Sequence, residues 1–199
     1  MYRTIGFCAP AGTGKSSLAN ALKAKLGDKV EVVQSVSRET YAKFGYSGED
    51  INLKLTLDEK FQLQSAIFSA WVRRYVDVVQ KYIPPDDTTY LVFERTLFDN
   101  AAYLYTHAEG YDLNVLNQYR ESAINIVNDF DYVITFPYPP PFAGQVDNFR
   151  WVDSEKDTKH QGYLNQFLRE FTPKNPVLSL EGVVSVEDRV NFVINNCFK

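Results

Sequence analysis

The amino-acid sequence predicts an α/β domain of three layers, in which helices cover both faces of a parallel sheet. The first observation is an apolar segment at residues 4–8 that leads through a glycine-rich turn into a run of strong helix formers. The second is a set of later apolar stretches, each short and rich in β-branched or aromatic residues, at 30–33, 90–93, 132–136 and 177–180. Such stretches are typical of strands buried on both faces, and the helical patterns between them complete the alternation expected of a parallel sheet.

The turn at residues 9–16 reads Ala-Pro-Ala-Gly-Thr-Gly-Lys-Ser, a phosphate-binding loop with Ala in place of the usual first Gly. Its glycines allow successive backbone N–H groups to point at phosphate oxygens, and the following helix adds its positive end. Lys15 supplies a charge for the β- and γ-phosphates, and the Ser16 hydroxyl can bind Mg²⁺. A turn that binds nothing is the alternative. The strand before the turn and the helix after it favour binding of ATP and Mg²⁺, through Ala11, Gly12, Thr13, Gly14, Lys15, Ser16 and Ser17.

Composition limits the classes of function. The chain has 199 residues, of which 45% are hydrophobic, and this suits a single domain over residues 1–199. A formal net charge of −4 gives no broad basic surface, so we do not expect nucleic acid as a partner. The two cysteines have no metal-ligand spacing, and no apolar run reaches membrane-spanning length. We therefore expect a cytoplasmic protein without a membrane partner.

The longest helical pattern runs from about Leu57 to Tyr82, between a capping box at residues 56–59 and a pair of prolines. Gln64 interrupts the apolar stripe of this helix. A buried amide needs a hydrogen-bond partner, so Gln64 is either satisfied within the core or reads the edge of a nucleobase. Residues 137–160 begin with a proline-rich stretch that is too long for an ordinary connection, which indicates a lid segment.

Glu94 and Arg95 directly follow the third predicted strand, and ligands of a parallel sheet bind at the carboxyl ends of its strands. A carboxylate there can hold Mg²⁺ or accept a proton from an attacking hydroxyl. An arginine beside it can stabilise the charge on a transferring phosphoryl group. A surface ion pair is the alternative. Because the same chain carries a phosphate-binding loop, we predict that both side chains are functional.

Residues 9–16, the Ser37-Arg38-Glu39 step and residues 94–103 together resemble the nicotinamide-riboside-kinase-like P-loop ATPases, which are close to deoxynucleoside and nucleoside monophosphate kinases. The resemblance implies a three-layer P-loop kinase fold, with five parallel strands in the order 2-3-1-4-5, and an ATP-dependent phosphotransferase. Residues 147–150 resemble a lid segment whose arginine closes on the phosphates. The residues and the resemblance together assign catalytic roles to Lys15, Glu94, Arg95 and Arg150, Mg²⁺ binding to Ser16 and Glu94, and acceptor binding to Arg38, Gln64, Arg95 and Asp99.

One departure from the family pattern concerns the acceptor. Nucleoside-type kinases usually carry a carboxylate at the end of strand two, where this chain has Ser35. A monophosphate is already an anion and needs cations rather than a base, and Arg38 supplies one. We therefore predict a (deoxy)nucleoside monophosphate kinase. The alternatives are a nucleoside or nicotinamide-riboside-type kinase, with Glu39 or Glu94 as the base, and a P-loop ATPase that acts on a macromolecular partner; a homodimer is left open.

Two further arginines are weaker candidates, and the two histidines are not candidates. Arg73 and Arg74 lie on the long helix, where a solvated face is a simpler expectation than acceptor binding. His107 and His160 have no cysteine or carboxylate at metal-ligand spacing, and neither receives a role. Because His160 follows the charged run at 153–159, we expect it at a solvated helix start.

Overall fold

The computed structural model describes residues 2–81, 89–139, 154–170 and 177–198. Most of the predicted lid, Arg150 included, lies outside the described residues. The strands are β1 (Tyr2–Cys8), β2 (Val30–Val33), β3 (Thr89–Phe93), β4 (Tyr132–Thr135) and β5 (Leu178–Ser179). They form one parallel sheet in the order β2-β3-β1-β4-β5, which confirms the predicted strand order.

The helices of the described residues are α1 (Lys15–Leu26), α2 (Ser37–Phe44), α3 (Gly48–Leu53), α4 (Leu57–Lys81), α5 (Leu97–His107), α6 (Leu113–Val127), α7 (Ser154–Glu170) and α8 (Val186–Cys197). The predicted capping box starts α4: the Thr56 hydroxyl donates to Glu59 Oε2 at 2.8 Å, and the Glu59 N–H donates to Thr56 Oγ1 at 3.3 Å. None of the described helices has the length and apolar content needed to cross a membrane.

Helices cover the sheet on both faces, as predicted. One apolar cluster joins α4, α5, α6 and α7 to the sheet and includes Leu63, Phe98 and Phe167. The other joins α1 and α8 to the opposite face through Leu18 and Val193. Since fully burying one large apolar side chain contributes about 1.5–3 kcal/mol, these two clusters are the main source of stability.

Burial differs between the centre of the sheet and its edges. All five residues of β3 are buried, and so are the last five of β1. In the edge strands, however, Glu31 of β2 and Ser179 of β5 are exposed. The expectation that every strand is buried on both faces is therefore wrong for β2 and β5, because each has a neighbouring strand on one side only.

Gly6 on β1 allows the turn between β3 and α5 to approach very closely. A Cβ atom on this glycine would lie 2.6 Å from Cγ2 of Thr96 and 3.0 Å from two atoms of the Phe130 ring. The Thr96 N–H also donates to the Phe7 carbonyl at 3.0 Å. The absence of a side chain at this one position therefore brings the residues after β3 next to the loop after β1.

Candidate active site

The phosphate-binding loop connects β1 to α1 at the carboxyl edge of the sheet. Gly12 and Gly14 have φ angles of 80° and 92°, a left-handed conformation that L side chains rarely adopt. Thr13 is buried, and its hydroxyl donates to the Pro10 carbonyl at 3.1 Å. α1 begins at Lys15, so the positive end of the helix faces the loop. The hydroxyls that follow are exposed, at Ser16 and Ser17.

Lys15 is held inside the loop. Its side chain is 7% exposed, and Nζ donates to the Ala9 carbonyl at 2.6 Å and to the Pro10 carbonyl at 2.5 Å. Nζ also lies 3.4 Å from Thr13 Oγ1. The ammonium group is therefore fixed within the turn that the two glycines form.

Asp99 joins the loop to the turn after β3. Its carboxylate is 0% exposed and accepts hydrogen bonds at 3.0 Å from the Ala9 N–H, the Thr96 N–H and the Thr96 hydroxyl. Burial raises the pKa of Asp99, while the positive charges of Lys15 and Arg95 oppose that rise. These contacts position the loop, and an acceptor contact for Asp99 stays a prediction.

Arg95 lies beside Asp99 and packs on a tyrosine. Its Nη1 is 3.7 Å from Asp99 Oδ1, and its guanidinium carbon is 5.1 Å from the centre of the Tyr103 ring. The Arg95 carbonyl accepts a hydrogen bond from the Trp71 indole at 3.1 Å. Nη1 is buried and has no hydrogen-bond partner among the described residues. Since a buried donor usually finds an acceptor, this atom is suited to a ligand oxygen.

Glu94 connects the ends of β3 and β2. Its backbone N–H donates to the Val33 carbonyl at 3.1 Å, and its Oε2 accepts the Ser35 N–H at 3.3 Å. A carboxylate therefore lies next to the position where the sequence has Ser35 in place of an acid. No group of three acidic, histidine or cysteine side chains suited to a metal occurs within the described residues.

Gln64 faces the interior, as its place in the apolar stripe predicts. It is 1% exposed and hydrogen-bonded to Tyr41, whose pKa burial raises to about 12. In the described part of the chain, Nε2 of Gln64 has no hydrogen-bond partner. The amide therefore combines the two predicted roles. Its bond to Tyr41 satisfies part of the group within the core, and Nε2 is available to the edge of a nucleobase.

The predicted cations near the acceptor lie at the surface. Arg38 is exposed on the first turn of α2. Arg74 pairs with Glu39 at 3.1 Å, and Glu39 pairs with Lys43 at 3.1 Å. Arg73 is exposed on α4 and donates to the Ser69 carbonyl of the same helix at 3.4 Å.

Together these features form a phosphate-binding loop that is hydrogen-bonded to the segment after β3. A protein family described as an AAA domain matches residues 5–189, which is most of the chain. The protein belongs to this AAA-domain family. No curated protein matches it in sequence.

Three solved structures of one enzyme share the fold of this AAA-domain protein. Deoxyadenosine kinase from M. mycoides with bound dATP matches over 100% of both chains, with 16% identity and a TM-score of 0.67. The same enzyme with the products dCMP and a flexible dCDP matches over 98% of this chain and 97% of its own, with 16% identity and a TM-score of 0.66. The same enzyme with bound dCTP matches over 96% of this chain and 97% of its own, with 15% identity and a TM-score of 0.65. At such identities the likeness establishes the fold, and it confirms the predicted P-loop kinase-like architecture.

Three residues of this AAA-domain protein escaped the sequence interpretation. The hydroxyl of Tyr103 on α5 accepts the Ala11 N–H at 3.2 Å. In the sequence interpretation, Tyr103 was only the last residue of the stretch 94–103 and received no role. Arg189 on α8 donates to the Thr13 carbonyl at 2.9 Å, across 176 positions of sequence. His160 on α7 is 0% exposed, so the expectation of a solvated helix start is wrong.

The burial of His160 has a local cause. Leu164 and Phe167 follow it at spacings of four and seven residues, and both are buried. Positions at this spacing share one face of a helix. The charged run before His160 hid that pattern, and the spacing is the signal that could have revealed it.

Proposed function

We propose that this AAA-domain protein is an ATP-dependent phosphotransferase whose acceptor is a nucleotide or nucleoside. One observation carries the proposal: Lys15 from the loop and Arg95 from the end of β3 both act on Asp99, the buried carboxylate that binds both segments. Two cations from separate segments thus meet at a loop with phosphate-binding geometry. Stabilisation of a transferring phosphoryl group requires this arrangement of charge.

In this proposal each side chain of the loop and of the strand end has its own task. Lys15 binds the β- and γ-phosphates, and Arg95 binds an oxygen of the transferring group through its buried Nη1. Arg150, outside the described residues, closes on the same phosphates, and the lid around it excludes water.

The exposed Ser16 hydroxyl and the Glu94 carboxylate are the residues that would hold Mg²⁺. They suit this ion, since Mg²⁺ uses few protein oxygens and keeps several waters. When bound, the ion neutralises charge on the phosphate chain.

The first candidate acceptor is a (deoxy)nucleoside monophosphate. Ser35 stands where a nucleoside kinase would carry a base, and a phosphate acceptor needs none. Arg38 on the first turn of α2 binds the acceptor phosphate, and the available Nε2 of Gln64 reads the base.

A nucleoside acceptor is the second candidate, and one contact favours it. The Glu94 carboxylate accepts the Ser35 N–H at 3.3 Å, so a base lies beside the position of the missing acid. In that case Glu94 removes the proton from the attacking hydroxyl instead of holding Mg²⁺.

Incubation with ATP, Mg²⁺ and separate pools of nucleosides and nucleoside monophosphates tests both candidates. ADP formation with the monophosphate pool alone supports the first acceptor, and ADP formation with the nucleoside pool alone supports the second. Steady ATP turnover without either pool, increased by a macromolecule, would contradict both and favour the ATPase alternative.

A further inference from the structure

The imidazole of His160 is enclosed next to the phosphate-binding loop. Its ring centre lies 3.8 Å from that of Tyr103, with the ring planes at 60°. Neither Nδ1 nor Nε2 has a hydrogen-bond partner within the part of the chain that the structure describes. Leaving a buried polar atom without a partner costs about 1–3 kcal/mol. Two such atoms on one ring therefore indicate a side chain whose partner is a ligand.

Tyr103 connects this imidazole to the loop. Its hydroxyl accepts the Ala11 N–H at 3.2 Å, and its ring carries the guanidinium of Arg95 at 5.1 Å. The ring that His160 contacts is thus bonded to the loop and packed against the cation beside it. The imidazole is therefore one side chain away from the loop, through Tyr103, and is shielded from the solvent.

Among the described residues, the groups that act on His160 come from the loop, the end of β3 and α5. Arg95 at the end of β3 and Lys15 in the loop act on it as positive charges, and His107 and Tyr103 approach it from α5. On α7 itself, Asp157 acts on Tyr103. Burial, followed by the positive charges of Arg95 and Lys15, lowers the pKa of His160 well below its ordinary value. The ring is therefore neutral at pH 7 in the protein alone.

We propose that His160 is a ligand of the nucleotide phosphates held by the loop and that it takes up a proton as they bind. The inference rests on the proposed function only in requiring that the loop binds nucleotide phosphates. An anion placed beside Lys15 and Arg95 offsets their field at the ring, which stabilises the imidazolium. The proton comes from solvent and forms the second N–H bond, after which the ring can donate to a phosphate oxygen.

The pH dependence of binding follows from this exchange. Between the pKa of the free protein and the higher pKa of the complex, binding takes up a proton, so affinity increases as the pH falls. Above the pKa of the complex, the proton contributes nothing. If the pKa rises by about one unit on binding, the dissociation constant falls by about tenfold across this interval.

The chain offers a direct readout, because it contains only two histidines. In untagged protein, imidazole C–H signals of His107 and His160 are assigned by NMR with the variants His107→Gln and His160→Gln. Each signal is then titrated with pH, with and without Mg²⁺ and the non-hydrolysable triphosphate AMP-PNP. We expect the His160 pKa to rise by at least one unit in the complex.

A calorimetric titration of AMP-PNP into the unaltered chain and into His160→Gln completes the test, over the pH interval between the two His160 pKa values that the NMR titrations give. The increase in affinity at low pH should be about tenfold smaller in the variant. If AMP-PNP binds and the His160 signal keeps its pKa, the inference is wrong and the proposed function stands. If the unaltered chain binds no AMP-PNP at any pH, both fail. If His160→Gln does not fold, the NMR titration of the unaltered chain and of His107→Gln decides.

Discussion

The two sides of the candidate site are built differently. The proposed donor side consists of the loop at residues 9–16 with Arg95, Asp99 and Tyr103, and Lys15, Asp99 and Tyr103 are bonded to the loop backbone. The proposed acceptor side consists of Ser35, Arg38, Glu39, Gln64 and Arg74. Its amide, Gln64, is buried, but its charged groups are exposed or partly exposed, as in the Glu39–Arg74 pair with side chains 52% and 40% exposed.

This contrast has a physical reason. A triphosphate loop has to present fixed backbone donors and a fixed ammonium, and rigidity comes from buried hydrogen bonds such as those of Asp99. Exposed charges are screened and mobile, and they cost little to rearrange around different acceptors. We therefore expect substitutions on the donor side to remove catalysis and those on the acceptor side to change which molecule is phosphorylated.

The largest effect should come from Lys15→Met. Loss of the ammonium removes a charge directed at the transferring phosphoryl group, so we expect kcat to fall by about a thousandfold. Steady-state ADP formation measures it. Lys23→Met, on the same helix but with its ion pairs at 3.9 and 4.0 Å and its side chain 41% exposed, is the matched control and should keep normal turnover. Equal losses in the two variants would remove the distinction.

Arg95→Lys should have the next largest effect. The substitution keeps the charge but loses the buried Nη1 and the planar contact with Tyr103, so we expect kcat to fall by about a hundredfold with little change in the KM for ATP. Rapid-quench measurement of the transfer step checks this. A variant with full activity would show that position 95 supplies only charge.

Arg38→Ala sharpens the comparison from the other side. Because Arg38 lies at the surface of α2, away from the bonds that hold the loop, the KM for the acceptor should rise by about tenfold while the KM for ATP stays constant. Steady-state kinetics with each substrate varied in turn measures both constants. Equal increases for the two substrates would contradict the assignment of this arginine to the acceptor.

The smallest effect concerns stability. The pKa of His160 is lowered in the folded chain, so the unfolded chain binds the proton more readily. The neutral His160 therefore costs the free energy of unfolding nothing above the unfolded pKa of about 6.5. Below that pH the free energy of unfolding decreases, by at most about 1.4 kcal/mol per pH unit. Urea unfolding between pH 5 and 8 should show this slope in the unaltered chain and a smaller one in His160→Gln. Parallel curves would indicate that the ring is already charged in the folded protein.

The donor side was predictable because its chemistry is contiguous in sequence. The glycines and Lys15 stand within eight positions, and the strand and helix around them are strongly patterned. The apolar stretches likewise gave the strands to within two residues at their ends, since buried strands of a parallel sheet carry few polar residues. The order of the strands came from the family resemblance, because pairing between distant segments leaves no local pattern.

The contacts that were missed join distant segments. Arg189 reaches Thr13 from α8, and no periodicity or motif links two positions so far apart. Asp99 was recognised within a motif, but its bond to the Ala9 N–H depends on how closely the chain passes Gly6. His160 is the intermediate case, since its spacing to Leu164 and Phe167 was visible in the sequence.

The bond between Arg189 and the Thr13 carbonyl has a consequence for synthesis of the chain. The loop leaves the ribosome before α8, and the guanidinium that fixes it follows 176 residues later. At about 5–20 residues per second, this interval lasts roughly 9–35 seconds. Throughout that time the loop of the nascent chain lacks the hydrogen bond from Arg189. We therefore expect a nucleotide to assist folding only after α8 has been translated.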